Sequence, residues 1–265
     1  MILRTAWESG SFSAAARADR SRSKTIADLH HPSATVPQLL GRHAIVATHG
    51  LPLGAMLVAG LLRHGARVLE VRGAFDSKAD ADATLAAAAA DLGGADLIVH
   101  AGADPQAIVP RSLDAFSAAD WRTAVHRSML SSLFCLQAAH RQQQARGGAV
   151  VLVGPSTALV GAASLVALMT VAEAQRSLMK SAARQWGRLG MRLNWVGVAA
   201  HHYAPALAHV AFPPTPELGP PPPALGRTPE PQADVADVIA WLGSDGARGL
   251  TGASINLDGG DWMVP

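Results

Sequence analysis

Four histidines and one serine hold most of the chemical potential of this chain because of where they fall. His49 follows the first apolar run, His100 ends the third, His201 and His202 follow the fifth, and Ser156 comes just after the fourth. An imidazole changes charge near neutral pH and can act as an acid, a base or a metal ligand, and a serine hydroxyl can act as a nucleophile. No local spacing of the His-x-x-x-His kind accompanies them, so no metal is expected. The chain has one tyrosine, Tyr203, and one cysteine, Cys135. A single cysteine excludes a disulfide framework and a cysteine-based zinc site.

The elements that must position these residues alternate in type. Residues 42–48, 67–71, 96–100, 149–153, 192–198 and 253–257 read as short strands, the early ones strongly apolar. Between them, residues 53–64, 79–92, 117–144, 164–189 and 233–242 read as helices. Short apolar strands alternating with helices predict an α/β fold with one doubly wound parallel sheet of about six strands, covered on both faces. In such a sheet the strand-end histidines lie at carboxyl ends and converge on the crevice where ligands bind. The crossover from Val71 to Leu97 holds only about 25 residues, enough for one helix and little else.

Composition limits the function classes. At 49% hydrophobic and 16% charged over 265 residues, the chain is too apolar for a long disordered protein. Twenty-two basic against 20 acidic side chains leave a net charge of +2, too balanced to argue for a nucleic-acid partner. The charge-free stretch over residues 149–172 is long enough to span a bilayer. It contains Gly154-Pro155-Ser156-Thr157, which reads as a turn, so no membrane span is expected. Residues 1–37, rich in Ser, Ala and Arg, are expected to form a disordered tail before a single domain over 38–265, in a cytoplasmic protein. Residues 212–223, with four consecutive prolines, read as a loop of polyproline character.

The C-terminal segments Gly226-Arg-Thr-Pro-Glu-Pro-Gln-Ala-Asp-Val-Ala236, Trp241-Leu-Gly-Ser-Asp245, Leu250-Thr-Gly252 and Leu257-Asp-Gly-Gly260 closely resemble the end of the short-chain dehydrogenase/reductases. Trp121 and Ala101-Gly102 fit the same family. The resemblance covers about residues 39–265 and implies a Rossmann-type fold, a nicotinamide cofactor and usually a tetramer. It also implies an extra helix and edge strand after the second strand, for which this chain has no room.

The family's working residues are largely replaced. Its T-G-x-x-x-G-x-G turn aligns with Ala47-Thr48-His49-Gly50-Leu51-Pro52-Leu53-Gly54, where only Gly54 survives of three glycines. The first glycine allows the tight turn and the second lets the backbone approach a pyrophosphate, whereas Pro52 removes an amide donor and fixes φ. Gly54, Gly102 and Arg72 remain as residual cofactor positions. Arg72 stands where NAD-preferring members carry an acid, and reads either as a 2′-phosphate contact or as a solvated surface arginine. The family's catalytic Asn, Ser, Tyr and Lys fall on Ser128, Pro155, Leu168 and Ala172. A slip of one residue puts Met169 and Glu173 at the Tyr and Lys positions, and Tyr203 lies far past the motif.

These replacements predict a non-catalytic subunit, paired with itself or with an active homologue, that needs no cofactor. The alternatives are a family oxidoreductase with an altered site that uses NAD(P), or a fold reused for small-molecule binding or non-redox chemistry at His49, His100, Ser156, His201 and His202. The apolar stretch 164–172 is the expected subunit interface, because a helix apolar all round must be buried on more than one face.

Overall fold

The computed structural model describes residues 36–209 and 223–263. The expected tail over 1–37 and the proline-rich segment fall almost wholly outside them. Six parallel strands form one sheet: β1 (His43–Ala47), β2 (Arg67–Val71), β3 (Leu97–His100), β4 (Gly148–Pro155), β5 (Met191–Val198) and β6 (Ser254–Leu257), in the order β2-β1-β3-β4-β5-β6. Chain direction reverses its march across the sheet between β1 and β3, which opens a crevice at their carboxyl ends. Ala47, the last residue of β1, is in register with Val71 on one side and His100 on the other.

Five helices cover the sheet: α1 (Leu53–Arg63), α2 (Lys78–Leu92), α3 (Arg127–Gln143), α4 (Val166–Trp186) and α5 (Ala236–Gly243). Local chemistry sets their ends. Ser77 accepts the Asp80 amide at the start of α2, and Gly93 closes it in the left-handed conformation (φ 89°), a position that favours glycine. α1 crosses the first turns leading into α5 so closely that a Cβ on Gly60 would lie 2.2 Å from Ala236 Cβ. The buried His64 imidazole fastens the same pair of helices through Asp237 at 2.8 Å.

Two apolar layers result. Leu53, Leu57, Val99, Val151, Leu168 and Ile239 pack on one face, and Ile45, Leu85, Ile98, Leu136, Met179 and Trp195 on the other. The structure departs from the sequence expectations in two places. β4 runs on through Gly154 and Pro155, because β5 offers Gly197 and Val198 as partners. The long helix over 117–144 begins as a short turn, Ala118–Trp121, widens into a π-helical segment over Arg122–His126, and only then becomes α3. As expected, the charge-free stretch is divided between β4, a turn and the start of α4, and its residues Ala167, Leu168, Val171 and Ala172 pack in the core of the chain. Among the described residues, no helix is long and apolar enough to cross a membrane.

Candidate functional site

The crevice is built from the turn after β1, the end of β3 and the first turns of α3. His49 is the only described non-glycine residue with positive φ, at 50°. That conformation folds its ring over Gly102, where an added Cβ would stand 2.7 Å from the imidazole. The Ser131 hydroxyl accepts the Phe75 amide at 3.0 Å and hydrogen-bonds His49 Nε2 at 2.8 Å. Behind it lies His100, with ring centroids 5.3 Å apart. The Ser132 hydroxyl donates to the Ser128 carbonyl at 3.0 Å and accepts from Gln175 Nε2 at 2.8 Å. His100 Nε2 hydrogen-bonds the same hydroxyl at 3.1 Å. Gln175 also donates to the Gly102 carbonyl at 2.9 Å, which ties α4 to the end of β3.

Burial lowers both histidines: His49 to a pKa of about 4, partly offset by Asp104, and His100 to about 3, with His49 adding to the effect. Both are neutral at pH 7. The cleft over His49 has a volume of about 220 Å³ and is lined further by Phe75, Asp104, Arg127, Ser128 and Ser131. Arg127 bridges its rim, 3.3 Å from Asp76 and 3.6 Å from Asp104. Larger clefts lie elsewhere, such as one of about 620 Å³ at the amino ends of the strands, which is the wrong end for a ligand site in this architecture.

Thus the structure joins His49 to His100 but keeps His201 and His202 as a second pair. Those rings are 4.1 Å apart and share the Thr228 hydroxyl, at 3.4 and 3.1 Å. Among the described residues no hydrogen bond links the two pairs, and no three His, Cys, Asp or Glu side chains are grouped to hold a metal ion. Ser156 is buried at the end of β4. Cys135 is buried and its thiol is pushed up to about 12, so it stays protonated.

The positions aligned with the family's catalytic residues are closed. Leu168 and Ala172 are 0% and 1% exposed, and Pro155 is buried at the end of β4. Ser128 donates to the Ala124 carbonyl at 2.6 Å and accepts the Asp104 amide at 2.8 Å. It therefore clamps the π-helical segment to the loop after β3. Tyr203, dismissed by its distance along the chain, lies just after β5 in the same apolar layer as Leu168 and Ala172. Burial raises its phenol pKa above the usual value. Sequence reasoning also missed Ser131, Ser132 and Gln175. The spacing of Ser128, Ser131 and Ser132 along one helix face was the available signal.

The turn between β1 and α1 fits a dinucleotide diphosphate poorly. Pro52 has no amide to offer, and the Leu51 and Gly54 amides go to the Thr48 and Leu51 carbonyls. A Cβ on Gly54 would lie 2.4 Å from the Thr48 hydroxyl and 2.5 Å from Glu70 Oε1, so those two side chains already crowd this turn. Arg72 is 71% exposed and bound to Glu70.

Comparison with known proteins agrees with this architecture. Residues 46–261 match the family model described as enoyl-(acyl carrier protein) reductase. The chain is 32% identical over 234 residues to the cis-4-hydroxycyclohexanecarboxylate dehydrogenase of Sinomonas cyclohexanicum, covering 86% of this chain and 90% of that protein. It is 29% identical over 252 residues to the L-rhamnose 1-dehydrogenase (NAD(P)(+)) of Azotobacter vinelandii, covering 84% and 97%. A crystal structure of a protein assigned as a short-chain alcohol dehydrogenase from Sinorhizobium meliloti superposes with a TM-score of 0.70 at 23% identity, covering 86% of this chain and 98% of that one. The chain belongs to the short-chain dehydrogenase/reductase family. Its relatives are dehydrogenases by name, and this overturns the expectation of a non-catalytic subunit. The oxidoreductase alternative takes its place, in a family whose members normally use NAD(P).

Proposed function

We propose that the chain is an oxidoreductase of this family with an altered active site, interconverting a hydroxyl and a carbonyl on a small molecule. The observation that carries this reading is near full-length similarity to two dehydrogenases of hydroxylated ring compounds or sugars. The cofactor class proposed is a nicotinamide nucleotide, as in the name of the L-rhamnose 1-dehydrogenase (NAD(P)(+)), bound more weakly than the family's intact turn would hold it. With aliphatic side chains at the Tyr and Lys positions, proton handling falls to other polar groups of the crevice. His49, neutral at pH 7, lines that cleft beside Asp104 and Ser131 and is the group we assign to the proton.

The test is turnover of the purified chain with NAD+ and NADP+ across hydroxycyclohexane carboxylates and aldoses, followed by absorbance of the reduced nicotinamide. Turnover that falls at least about tenfold in His49→Ala supports the reading. A folded protein without turnover on any member of the panel overturns it. Self-association belongs to the same proposal, because the family usually forms tetramers, and light scattering measures it. A cytoplasmic location is proposed with it.

A further inference from the structure

We infer that Glu70 is the residue that limits nucleotide affinity and selectivity in this chain, through two contacts that a single carboxylate makes. The inference rests on the oxidoreductase reading only in taking a nicotinamide nucleotide as the relevant ligand.

The first contact is with α1. This helix has no side-chain cap and no acid in its first turn. A helix N-terminus in that condition attracts an anion, and in a doubly wound fold the anion is the nucleotide's diphosphate. Here the chain supplies an anion of its own. Glu70 sits on β2 opposite Val46, and its carboxylate reaches the space beside Gly54 that a Cβ would fill. Its side chain is only 15% exposed, so water screens it weakly from a second anion brought to the same turn. The Thr48 hydroxyl, buried and without a partner, crowds the same point.

The second contact is with Arg72. Its Nε donates to Glu70 Oε2 at 2.9 Å, and a second guanidinium nitrogen lies 2.9 Å from the same oxygen. A guanidinium held this way has its charge already matched. Placed just past the end of β2, it is suited to the extra 2′-phosphate that separates NADP from NAD. Glu70 therefore opposes any dinucleotide at the α1 turn and opposes NADP twice, by occupying the cation that would select it.

Calorimetric titration of NAD+ and NADP+ into the wild-type chain, Glu70→Gln and Glu70→Gln/Arg72→Ala separates the two contacts. Glu70→Gln should bind both nucleotides more tightly, with NADP+ gaining about tenfold more than NAD+. Adding Arg72→Ala should abolish the extra gain for NADP+ and keep the common one. Unchanged affinity for both nucleotides in Glu70→Gln overturns the proposal, and an equal gain for both overturns the Arg72 contact. Glu70→Ala is measured in parallel, and melting curves show that each variant is folded. The binding result stands apart from catalysis: a gain in affinity without turnover on any substrate keeps the role of Glu70 and removes the oxidoreductase reading.

Discussion

Gln175 and Ser132 meet between α3 and α4, the side-chain amide donating to the hydroxyl at 2.8 Å with both residues buried. Gln175 also donates to the Gly102 carbonyl at 2.9 Å. The amide spans from α4 to α3 and to the loop after β3, and it holds the floor of the crevice together.

Gln175→Leu should leave the Gly102 carbonyl and one acceptor site of Ser132 without a donor. An unsatisfied buried polar group costs about 1–3 kcal/mol, and urea unfolding should show that loss. A midpoint unchanged from wild type would mean that the network contributes nothing to stability.

Gly102→Ala should drive a methyl group into the His49 ring, for which the added Cβ would be 2.7 Å away. Overpacking of this kind costs about 1–3 kcal/mol. In Gly102→Ala/His49→Ala most of that cost should vanish, and a double-mutant cycle measures the coupling. Additive single effects would show that the two residues do not oppose each other.

Stability should fall with acidification, and the sign follows from the two histidines. His100 titrates at about 3 and His49 at about 4 in the folded chain, against 6.5 when unfolded. Between those limits the unfolded chain binds more protons, so their contribution is complete above about pH 6.5 and is lost as pH falls toward 4 and then 3. Each imidazole that stays neutral contributes a slope of up to about 1.4 kcal/mol per pH unit. Denaturant midpoints measured from pH 7 to 4 should show a shallower slope in His100→Asn, and an identical slope would refute the assignment.

Restoring the family's pair by Leu168→Tyr/Ala172→Lys should lower stability rather than create a working site. Both positions are closed, at 0% and 1% exposure, and a buried unpaired ammonium costs several kcal/mol. A drop in melting temperature or soluble yield is expected. A stable double variant with raised turnover would show that the pocket retains the room and polarity the family needs.

The sheet was legible because its signals are local. Residues 67–71 form β2 with the bounds expected, and the short crossover foretold six strands in one sheet. The convergence of His49 and His100 followed from strand order. The division of the four histidines into two pairs did not, because it depends on Thr228 arriving from a distant loop. The π-helical segment before Ser128 was equally hidden, since an extra residue in one turn leaves the apolar pattern of a long helix nearly unchanged. The functional expectation failed for a different reason. Loss of familiar side chains does not establish loss of activity, because fold and function separate in both directions.

The trimmed crossover also leaves β2 at the margin of the sheet, with one row of backbone donors and acceptors facing outward. A five-residue strand of Val and Leu in that place would invite another chain to add on. Arg67 at its start and Arg72 just past its end are exposed and put charge along that margin. The two arginines are thus a guard against strand addition. Arg67→Val/Arg72→Val should make the protein prone to self-assembly at high concentration, which light scattering would show.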